Sequence, residues 1–208
     1  MKVGIYGGSF NPIHFGHIGL AKWVINNTDL DEVWLMVSPN NPLKDSHILA
    51  DEHIRLAEAN KAIEQEGEER IRVSDFEFHL PRPTYTAHTL RKLQEAYTEH
   101  DFTLIIGEDN LNIFSQWREH EYILNNYRVF VYPRRGYIGY PLPSAKDLQV
   151  LKGAPYFDIS STELRKNLHK WKLFCIFAVE NDTILNIINN KISINNYKLI
   201  SYYDSHNI

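Results

Sequence analysis

The sequence has little of what marks several large classes of protein. Only one of its 208 residues is cysteine, Cys175, which excludes an internal disulfide framework and is typical of a reducing compartment. No apolar run approaches the ~18 residues that a membrane-spanning helix needs. The start of the chain also lacks the pattern of a signal peptide. We therefore expect a soluble, cytoplasmic protein with no membrane partner.

Excess positive charge is also lacking. The chain has 22 basic and 26 acidic residues and a net charge of −4, which argues against a nucleic-acid partner. A small anionic substrate needs only a few positive groups at its site, so the negative net charge of the chain does not argue against one. The length suffices for one large α/β domain with its own core. It does not fix the oligomeric state, and a homo-oligomer is one of the open outcomes.

Three short motifs are missing as well. The sequence has no GxxxxGK[ST] loop, which excludes a P-loop protein, and no GxGxxG spacing, which weakens a dinucleotide-cofactor interpretation. No cluster of His, Asp and Glu has the spacing of a dedicated metal site, so we predict no protein metal ligand.

Strand-like and helix-like segments alternate along the chain. Strands are predicted over 1–6, 32–37, 71–78, 102–106 and 127–132, with helices after Gly16 and over 51–66 and 85–100. This alternation predicts a Rossmann-like, doubly wound parallel sheet with helices on both faces. Ligands of such sheets bind at the carboxyl ends of the strands, and the candidate motifs follow strands.

The segment GGSFNPIHFGH, residues 7–17, is the most informative one. Gly7 and Gly8 end the first strand, and a helix is predicted to begin at Gly16. Glycines let the backbone approach a bulky anion, and unpaired N–H groups at a helix N-terminus favour phosphate. His14 and His17 add donors on one side, because three residues nearly complete a helical turn. A plain connector between strand and helix is the alternative for the glycine turn alone.

A second segment, ISSTELR, covers residues 159–165. Ser160 and Glu163 have the spacing of a capping box, which predicts a helix start. Ser161, Thr162 and the first N–H groups would face an anion, with Arg165 one turn further on. An ordinary capped helix is the alternative if this segment is taken alone.

The two segments together resemble the nucleotidylyltransferase superfamily. HFGH, residues 14–17, matches its His-x-Gly-His signature, and ISSTELR matches its second signature, about 140 residues further along. Between them the chain is similar to the bacterial nicotinate-nucleotide adenylyltransferases. The shared segments are TYTAHTL (84–90), the stretch from Ile106 to Trp117 and the turn NPLK (41–44). The resemblance covers residues 1 to about 169.

The resemblance implies a reaction and a set of site residues. The implied reaction transfers the adenylyl group of ATP to nicotinate mononucleotide, with Mg²⁺ carried by ATP and no covalent enzyme intermediate. His14 and His17 are the predicted catalytic residues. The predicted ATP-binding residues are Gly7, Gly8, Ser9, Phe10, Gly16, Ser160, Ser161, Thr162 and Arg165. The predicted mononucleotide-binding residues are Lys44, Tyr85, Thr86, Gly107, Asp109 and Trp117.

Each mononucleotide residue has a physical use. The helix start at Tyr85 and Thr86 suits a pyridine carboxylate, and Trp117 offers a flat face for the ring. Asp109 can accept hydrogen bonds from ribose hydroxyls, and Lys44 supplies a cation. For Trp117 and Thr86 the alternatives are a core aromatic and a helix cap.

Two other functions carry the same signatures. One is another small-molecule nucleotidylyltransferase, of the pantetheine-phosphate or glycerol-phosphate type, which usually lacks the 84–90 and Trp117 segments. The other is a nucleotide-binding module inactivated by its C-terminal tail. We predict the catalytic α/β domain over 1–170 and a divergent, Asn-rich tail over 171–208.

Overall fold

A computed structural model of the chain describes residues 1–39, 50–134, 136, 143, 145–157 and 161. Its strands and helices alternate. The strands are β1 (Lys2–Gly8), β2 (Glu32–Val37), β3 (Ile71–Ser74), β4 (Asp101–Gly107), β5 (Arg128–Tyr132) and β6 (Leu148–Val150). The helices are α1 (Phe15–Asn27), α2 (Glu52–Glu66), α3 (Thr86–Ala96), α4 (Glu108–Leu111) and α5 (His120–Asn126), with 3₁₀ turns at Phe76–His79 and Phe114–Gln116.

The six strands form one parallel sheet in the order β3-β2-β1-β4-β5-β6. The order reverses between β1 and β4, which is the switch point where ligands of doubly wound sheets bind. This arrangement confirms the predicted fold class. Among the described residues, no helix is long and apolar enough to cross a membrane.

Helices cover both faces of the sheet. On one face α1 and α2 pack Val24 and Ala59, both fully buried, into a cluster with Leu35 and Phe130. On the other face α3 and α5 pack Leu90 and Ile123 against Val3 and further strand residues. Successive side chains of a strand point to opposite faces, so each buried strand contributes to both clusters.

One predicted strand was too long. The strand predicted over 71–78 ends at Ser74, because the N–H of Phe78 donates to the carbonyl of Asp75 at 2.8 Å and closes a 3₁₀ turn. Phe76 packs on one face of the sheet and Phe78 on the other, whereas a strand would place residues 76 and 78 on the same face, so the turn breaks the alternation that suggested a strand.

A second boundary differed, and one strand went unpredicted. The helix predicted over 85–100 ends at Ala96, and His100 stacks instead on Tyr97 at 5.5 Å. Strand β6 has three residues and lies at the sheet edge, where its pairing with β5 defines it. The predicted boundary at residue 170 and the tail over 171–208 lie outside the described residues.

Candidate active site

The candidate site lies at the carboxyl edge of the sheet, where β1 and β4 end at Gly8 and Gly107. A Cβ at Gly7 would meet no atom within 4 Å, so the backbone there faces open space. A Cβ at Gly107 would collide with the Asp109 carboxylate, and one at Gly8 would come within 3.0 Å of the Phe10 ring. The chain therefore needs glycine at Gly107 for packing, whereas Gly7 leaves room for a ligand.

The loop between β1 and α1 is tightly held. Phe10 is buried with a φ of 43°, and its ring packs edge-on against His17 at 5.0 Å. The Asn11–Pro12 peptide bond is cis. The hydroxyl of Ser161 donates to the carbonyl of Pro12 at 3.0 Å, which brings the second signature to the first. Ser160, Thr162 and Arg165 of that signature lie outside the described residues, as does Lys44.

A buried arginine holds this loop from below. Arg55 of α2 has no exposed surface, and its guanidinium donates to the carbonyls of Ser9, Ser38 at 2.9 Å and Pro39 at 3.1 Å. Its Nε donates to a fourth carbonyl, that of Ala50, at 3.0 Å, and this set of backbone acceptors uses the fixed fork of a guanidinium, which a lysine cannot imitate. No sequence motif indicates this role, since Arg55 lies in an ordinary amphipathic helix.

His14 and His17 meet at the start of α1. His14 is the N-cap residue, and its ring stacks on that of His17 with centroids 3.7 Å apart and planes 25° apart. The three-residue spacing predicts this shared side. The two histidines have the arrangement of a capping box, and the N–H of His17 donates to the carbonyl of His14 at 2.9 Å, so the N–H groups of Phe15 and Gly16 are the ones at this helix start that lack an intrahelical acceptor.

The hydrogen bond between the two residues fixes which nitrogen can donate. The backbone N–H of His14 donates to Nδ1 of His17 at 3.3 Å. An acceptor nitrogen carries no proton, so the neutral His17 ring has its proton on Nε2. Nε2–H is therefore the donor that His17 can offer to a ligand.

His14 is neutral at physiological pH. Burial of the ring, and then the positive charge of Arg134, lower the pKa of His14 from 6.5 to about 4. Its Nδ1 is buried and has no hydrogen-bond partner among the residues described. A buried polar atom without a partner costs free energy, so a ligand acceptor or donor at this position would be stabilising.

Arg134 is a site residue that the sequence analysis missed. It follows β5, and its Nη2 donates to the hydroxyl of Tyr132 at 3.0 Å. The Tyr132 hydroxyl in turn lies 3.3 Å from the hydroxyl of Tyr6. Its Nε lies 3.6 Å from Oδ1 of Asp109. The rule that ligands gather at carboxyl strand ends could have identified it, because it comes directly after the buried strand.

These residues share one small cleft. Its walls include Tyr6, His14, His17, Tyr132, Arg134 and Phe157. Burial raises the pKa of the Tyr6 and Tyr132 hydroxyls, so both stay protonated and act as neutral hydrogen-bonding groups. Among its described lining residues, the cleft thus presents neutral hydrogen-bonding groups and the permanent cation of Arg134, which are suitable for phosphate oxygens.

Asp109 keeps an acceptor available. It lies in the short helix α4 directly after β4, and its Oδ1 is buried without a hydrogen bond in the described part of the chain. The neighbouring carboxylate, Glu108, is used differently, since it accepts the backbone N–H of Arg134 at 2.9 Å. Asp109 can thus accept a hydrogen bond from a hydroxyl group, which is the role predicted for it.

A second helix start lies on the other side of the sheet. Tyr85 is the N-cap of α3, and no side-chain hydrogen bond caps that helix. The guanidinium of Arg118 lies 5.0 Å from the centre of the Tyr85 ring, which places the neighbouring Trp117 segment beside this helix start. Trp117 packs on Phe114 at 4.9 Å, and its buried Nε1 has no partner among described residues.

A metal site of the protein's own is not found in the described ranges, since no group of three His, Cys, Asp or Glu side chains could hold an ion there.

Comparisons with known proteins identify the family of this chain. A family model for cytidylyltransferase-like proteins matches residues 5–167. The probable nicotinate-nucleotide adenylyltransferase of Bacteroides fragilis is 47% identical over 167 residues, covering 80% of this chain and 82% of that protein. The corresponding protein of Flavobacterium psychrophilum is 42% identical over 174 residues, covering 83% and 89%.

A solved structure shows the same fold. The nicotinic acid mononucleotide adenylyltransferase of Plasmodium falciparum, complexed with NaAD, superposes with a TM-score of 0.66 at 22% identity, covering 79% of this chain and 82% of that one. The sequence identity to the bacterial proteins extends over most of both chains. This chain therefore belongs to the cytidylyltransferase-like family and, within it, to the nicotinate-nucleotide adenylyltransferases.

Proposed function

We propose that this chain transfers the adenylyl group of ATP to nicotinate mononucleotide, giving deamido-NAD and pyrophosphate. The observation that carries the proposal is the pair of helix starts at the carboxyl edge of the sheet, one on each face. The start of α1 carries His14 and His17, and the start of α3 lies beside the Trp117 segment. Each start is suited to an anion, the first to phosphates and the second to a carboxylate.

The reaction is an in-line displacement. A phosphate oxygen of the mononucleotide attacks the α-phosphorus of ATP, the bond to the bridging oxygen breaks, and pyrophosphate leaves with the electron pair. Catalysis then consists of positioning and of stabilising the charge that grows on the phosphate oxygens. In this proposal the Nε2–H of His17, the ring of His14 and the Arg134 guanidinium supply that stabilisation.

The remaining contacts follow from position. Gly7, Gly8, Ser9, Phe10 and Gly16 form the loop and helix start around the phosphates, and Ser161 joins them through Pro12. Asp109 and Gly107 receive the ribose, and Tyr85, Thr86 and Trp117 receive the pyridine ring with its carboxylate. Lys44, Ser160, Thr162 and Arg165 stay predicted phosphate ligands from the sequence.

Mg²⁺ accompanies ATP in this proposal. A hard cation prefers phosphate oxygens and water, and keeps several waters when it binds a nucleotide. The carboxylates at the cleft, Glu108 and Asp109, already face Arg134, which fits an ion held by the substrate rather than by a protein cage. The ion would neutralise charge on the leaving pyrophosphate.

A panel of acceptors tests the proposal. Pyrophosphate release is measured with ATP, Mg²⁺ and one of four acceptors: nicotinate mononucleotide, nicotinamide mononucleotide, phosphopantetheine or glycerol phosphate. Release with the nicotinate compound as the preferred acceptor supports the proposal. Preference for either of the last two would make the chain a different nucleotidylyltransferase. ATP binding without release in any mixture would make it an inactive nucleotide-binding module.

A further inference from the structure

A buried carboxyl group lies outside the catalytic site. Glu77 belongs to the 3₁₀ turn between β3 and α3 and is 7% exposed. Its oxygens accept hydrogen bonds from three hydroxyls, those of Ser38 at 2.6 Å, Thr89 at 2.8 Å and Thr84 at 3.3 Å. No ion pair to Glu77 occurs in the part of the chain that the structure describes. Burying a carboxyl group without a cation is costly, so its retention calls for a reason.

Ser38 connects Glu77 to the phosphate side of the site. Ser38 follows β2, and its N–H donates to the carbonyl of Gly8 at 2.9 Å while its hydroxyl donates to Glu77. Its carbonyl accepts from Arg55, which also holds Ser9. The backbone N–H and carbonyl of Ser38 are thus bonded to groups that shape the glycine loop, and its hydroxyl joins that loop to Glu77.

Thr84 and Thr89 connect Glu77 to the other side. Thr84 immediately precedes Tyr85 and Thr86, where α3 begins, and Thr89 lies one turn along the helix. The hydroxyl of Thr89 also lies 3.3 Å from the carbonyl of Tyr85. The carboxyl group therefore fixes the first turn of α3, whose N–H groups are proposed to receive the pyridine carboxylate.

We propose that Glu77 is a positioning residue for the transfer step, because it holds the start of α3 and the Gly8 loop at a fixed separation through Ser38. This inference rests on the proposed function, in which α3 orients the acceptor and the loop orients ATP. In-line attack tolerates little displacement between two such substrates, and a shift of about 1 Å can cost ~10²-fold in rate. Loss of the link should therefore lower kcat.

Three variants isolate the link. Ser38→Ala removes only the hydroxyl that joins Glu77 to the loop, and Glu77→Leu removes all three hydrogen bonds. Glu77→Gln can keep the link: its amide oxygen replaces Oε2 for Ser38 and Thr84, and its NH₂ donates to Thr89, whose hydroxyl still donates to Tyr85. We expect Ser38→Ala and Glu77→Leu to lower kcat ~10-fold or more, and Glu77→Gln to stay within ~3-fold of wild type.

Glu32→Leu is the matched control. Glu32 is 8% exposed and begins β2 at the opposite edge of the sheet, where it accepts from Trp34 Nε1 at 2.9 Å and pairs with Arg72 at 2.7 Å. Both carboxyl losses should lower the melting temperature, but only the losses at Glu77 and Ser38 should lower kcat. If Glu77→Leu does not fold, Ser38→Ala alone carries the comparison.

The double variant Ser38→Ala/Glu77→Leu completes the test. Both changes break one link, so the double variant should have the kcat of Glu77→Leu alone, with no further loss. A wild-type kcat in Ser38→Ala, or an equal kcat loss in Glu32→Leu, would overturn the proposal. Failure of the proposed function can be distinguished from failure of this proposal. If the proposed function is wrong, the wild-type protein itself releases no pyrophosphate from ATP and nicotinate mononucleotide.

Discussion

His14 and His17 face each other at the N-terminus of α1, with ring centroids 3.7 Å apart, and the backbone of the first donates to Nδ1 of the second. A neutral imidazole ring has one N–H donor and a charged ring has two, so what each stacked ring can donate depends on its charge state and tautomer. The surroundings set both. Burial and Arg134 set the charge state of His14, and the backbone hydrogen bond sets the tautomer of His17.

The first prediction concerns His17. We expect His17→Ala to lower kcat ~10²-fold or more, because it removes a donor aimed at charge that grows in the transition state. The measurement is steady-state pyrophosphate release, with circular dichroism to verify folding. His79→Ala is the control, since the side chain of that histidine is exposed and pairs with Asp75 at 3.4 Å. A folded His17→Ala protein with near-wild-type kcat would refute the role.

The second prediction concerns the charge of His14. Its pKa in the free protein should be about 4, and removing the Arg134 charge by Arg134→Met should raise it. Between pH 6.5 and 4 the unfolded chain binds a proton at this residue and the folded chain does not. The contribution of His14 to stability is therefore present above pH 6.5 and is lost as the pH falls toward 4.

NMR titration of the histidine ring protons measures that pKa directly. The pH dependence of the unfolding free energy in wild type and in His14→Asn gives a second measurement. Wild type should lose more stability than the variant over this interval. A His14 resonance that titrates near pH 6.5 would contradict the assignment of a buried, neutral ring.

The third prediction concerns Arg134. Arg134→Met should lower kcat/KM for ATP ~10-fold or more, because it removes the permanent cation of the cleft together with the hydrogen bond to Tyr132. Arg134→Lys should restore little, since an ammonium group lacks the planar fork. Arg72→Met, at the far edge of the sheet, is the control. Equal kcat/KM in the Arg134 and Arg72 variants would show that Arg134 does not act on ATP.

The fourth prediction concerns Trp117. Trp117→Ala should raise KM for nicotinate mononucleotide several-fold more than KM for ATP, because a stacking face is worth about 1 kcal/mol. Trp117→Phe should recover much of the loss, since it keeps an aromatic face. Separate titrations of the two substrates measure this split. A rise confined to KM for ATP would show that Trp117 contacts ATP and not the mononucleotide, contrary to this prediction.

The sequence predicts the fold well where the signal is local. Strand β2 was predicted with its observed bounds because Glu32–Val37 has the apolar pattern of a buried strand, and the helix predicted to begin at Gly16 begins one residue earlier, at Phe15. Asp109, Tyr85 and Trp117 were marked by the resemblance of two short segments, 84–90 and 106–117, to a known family. Alternation, helical spacing and such motifs are properties of short segments, which a single sequence displays.

The parts that were missed depend on distant contacts. Glu77 is joined to the site by the hydroxyls of Ser38, Thr84 and Thr89, and Arg55 is joined to it by the carbonyls of Ser9, Ser38 and Pro39. No pattern within a short window carries such information for Glu77 and Arg55, because their contacts with Ser38 and Ser9 span many residues of the chain. Arg134 differs from these two, because it follows the predicted strand over 127–132 and the rule that ligands gather at carboxyl strand ends could have identified it.

The start of α3 provides the sharpest control for substrate choice. Thr86 is the first residue of the helix, a position that accepts proline, and Tyr85 before it has extended dihedral angles of −118° and 138°. Thr86→Pro therefore removes a backbone N–H while keeping the helix start, and Thr86→Ala controls for the side chain. The proline variant should prefer the acid mononucleotide less than wild type does, and the alanine variant should keep the preference.

The most direct test of the whole account is the ratio of kcat/KM for nicotinate mononucleotide to that for nicotinamide mononucleotide, with ATP and Mg²⁺ saturating. A helix N-terminus favours the carboxylate over the amide by about 1 kcal/mol or more, so we predict a ratio of at least ~5 in wild type. A ratio of one or below would contradict the assignment of the α3 start to a pyridine carboxylate and, with it, the proposed reaction.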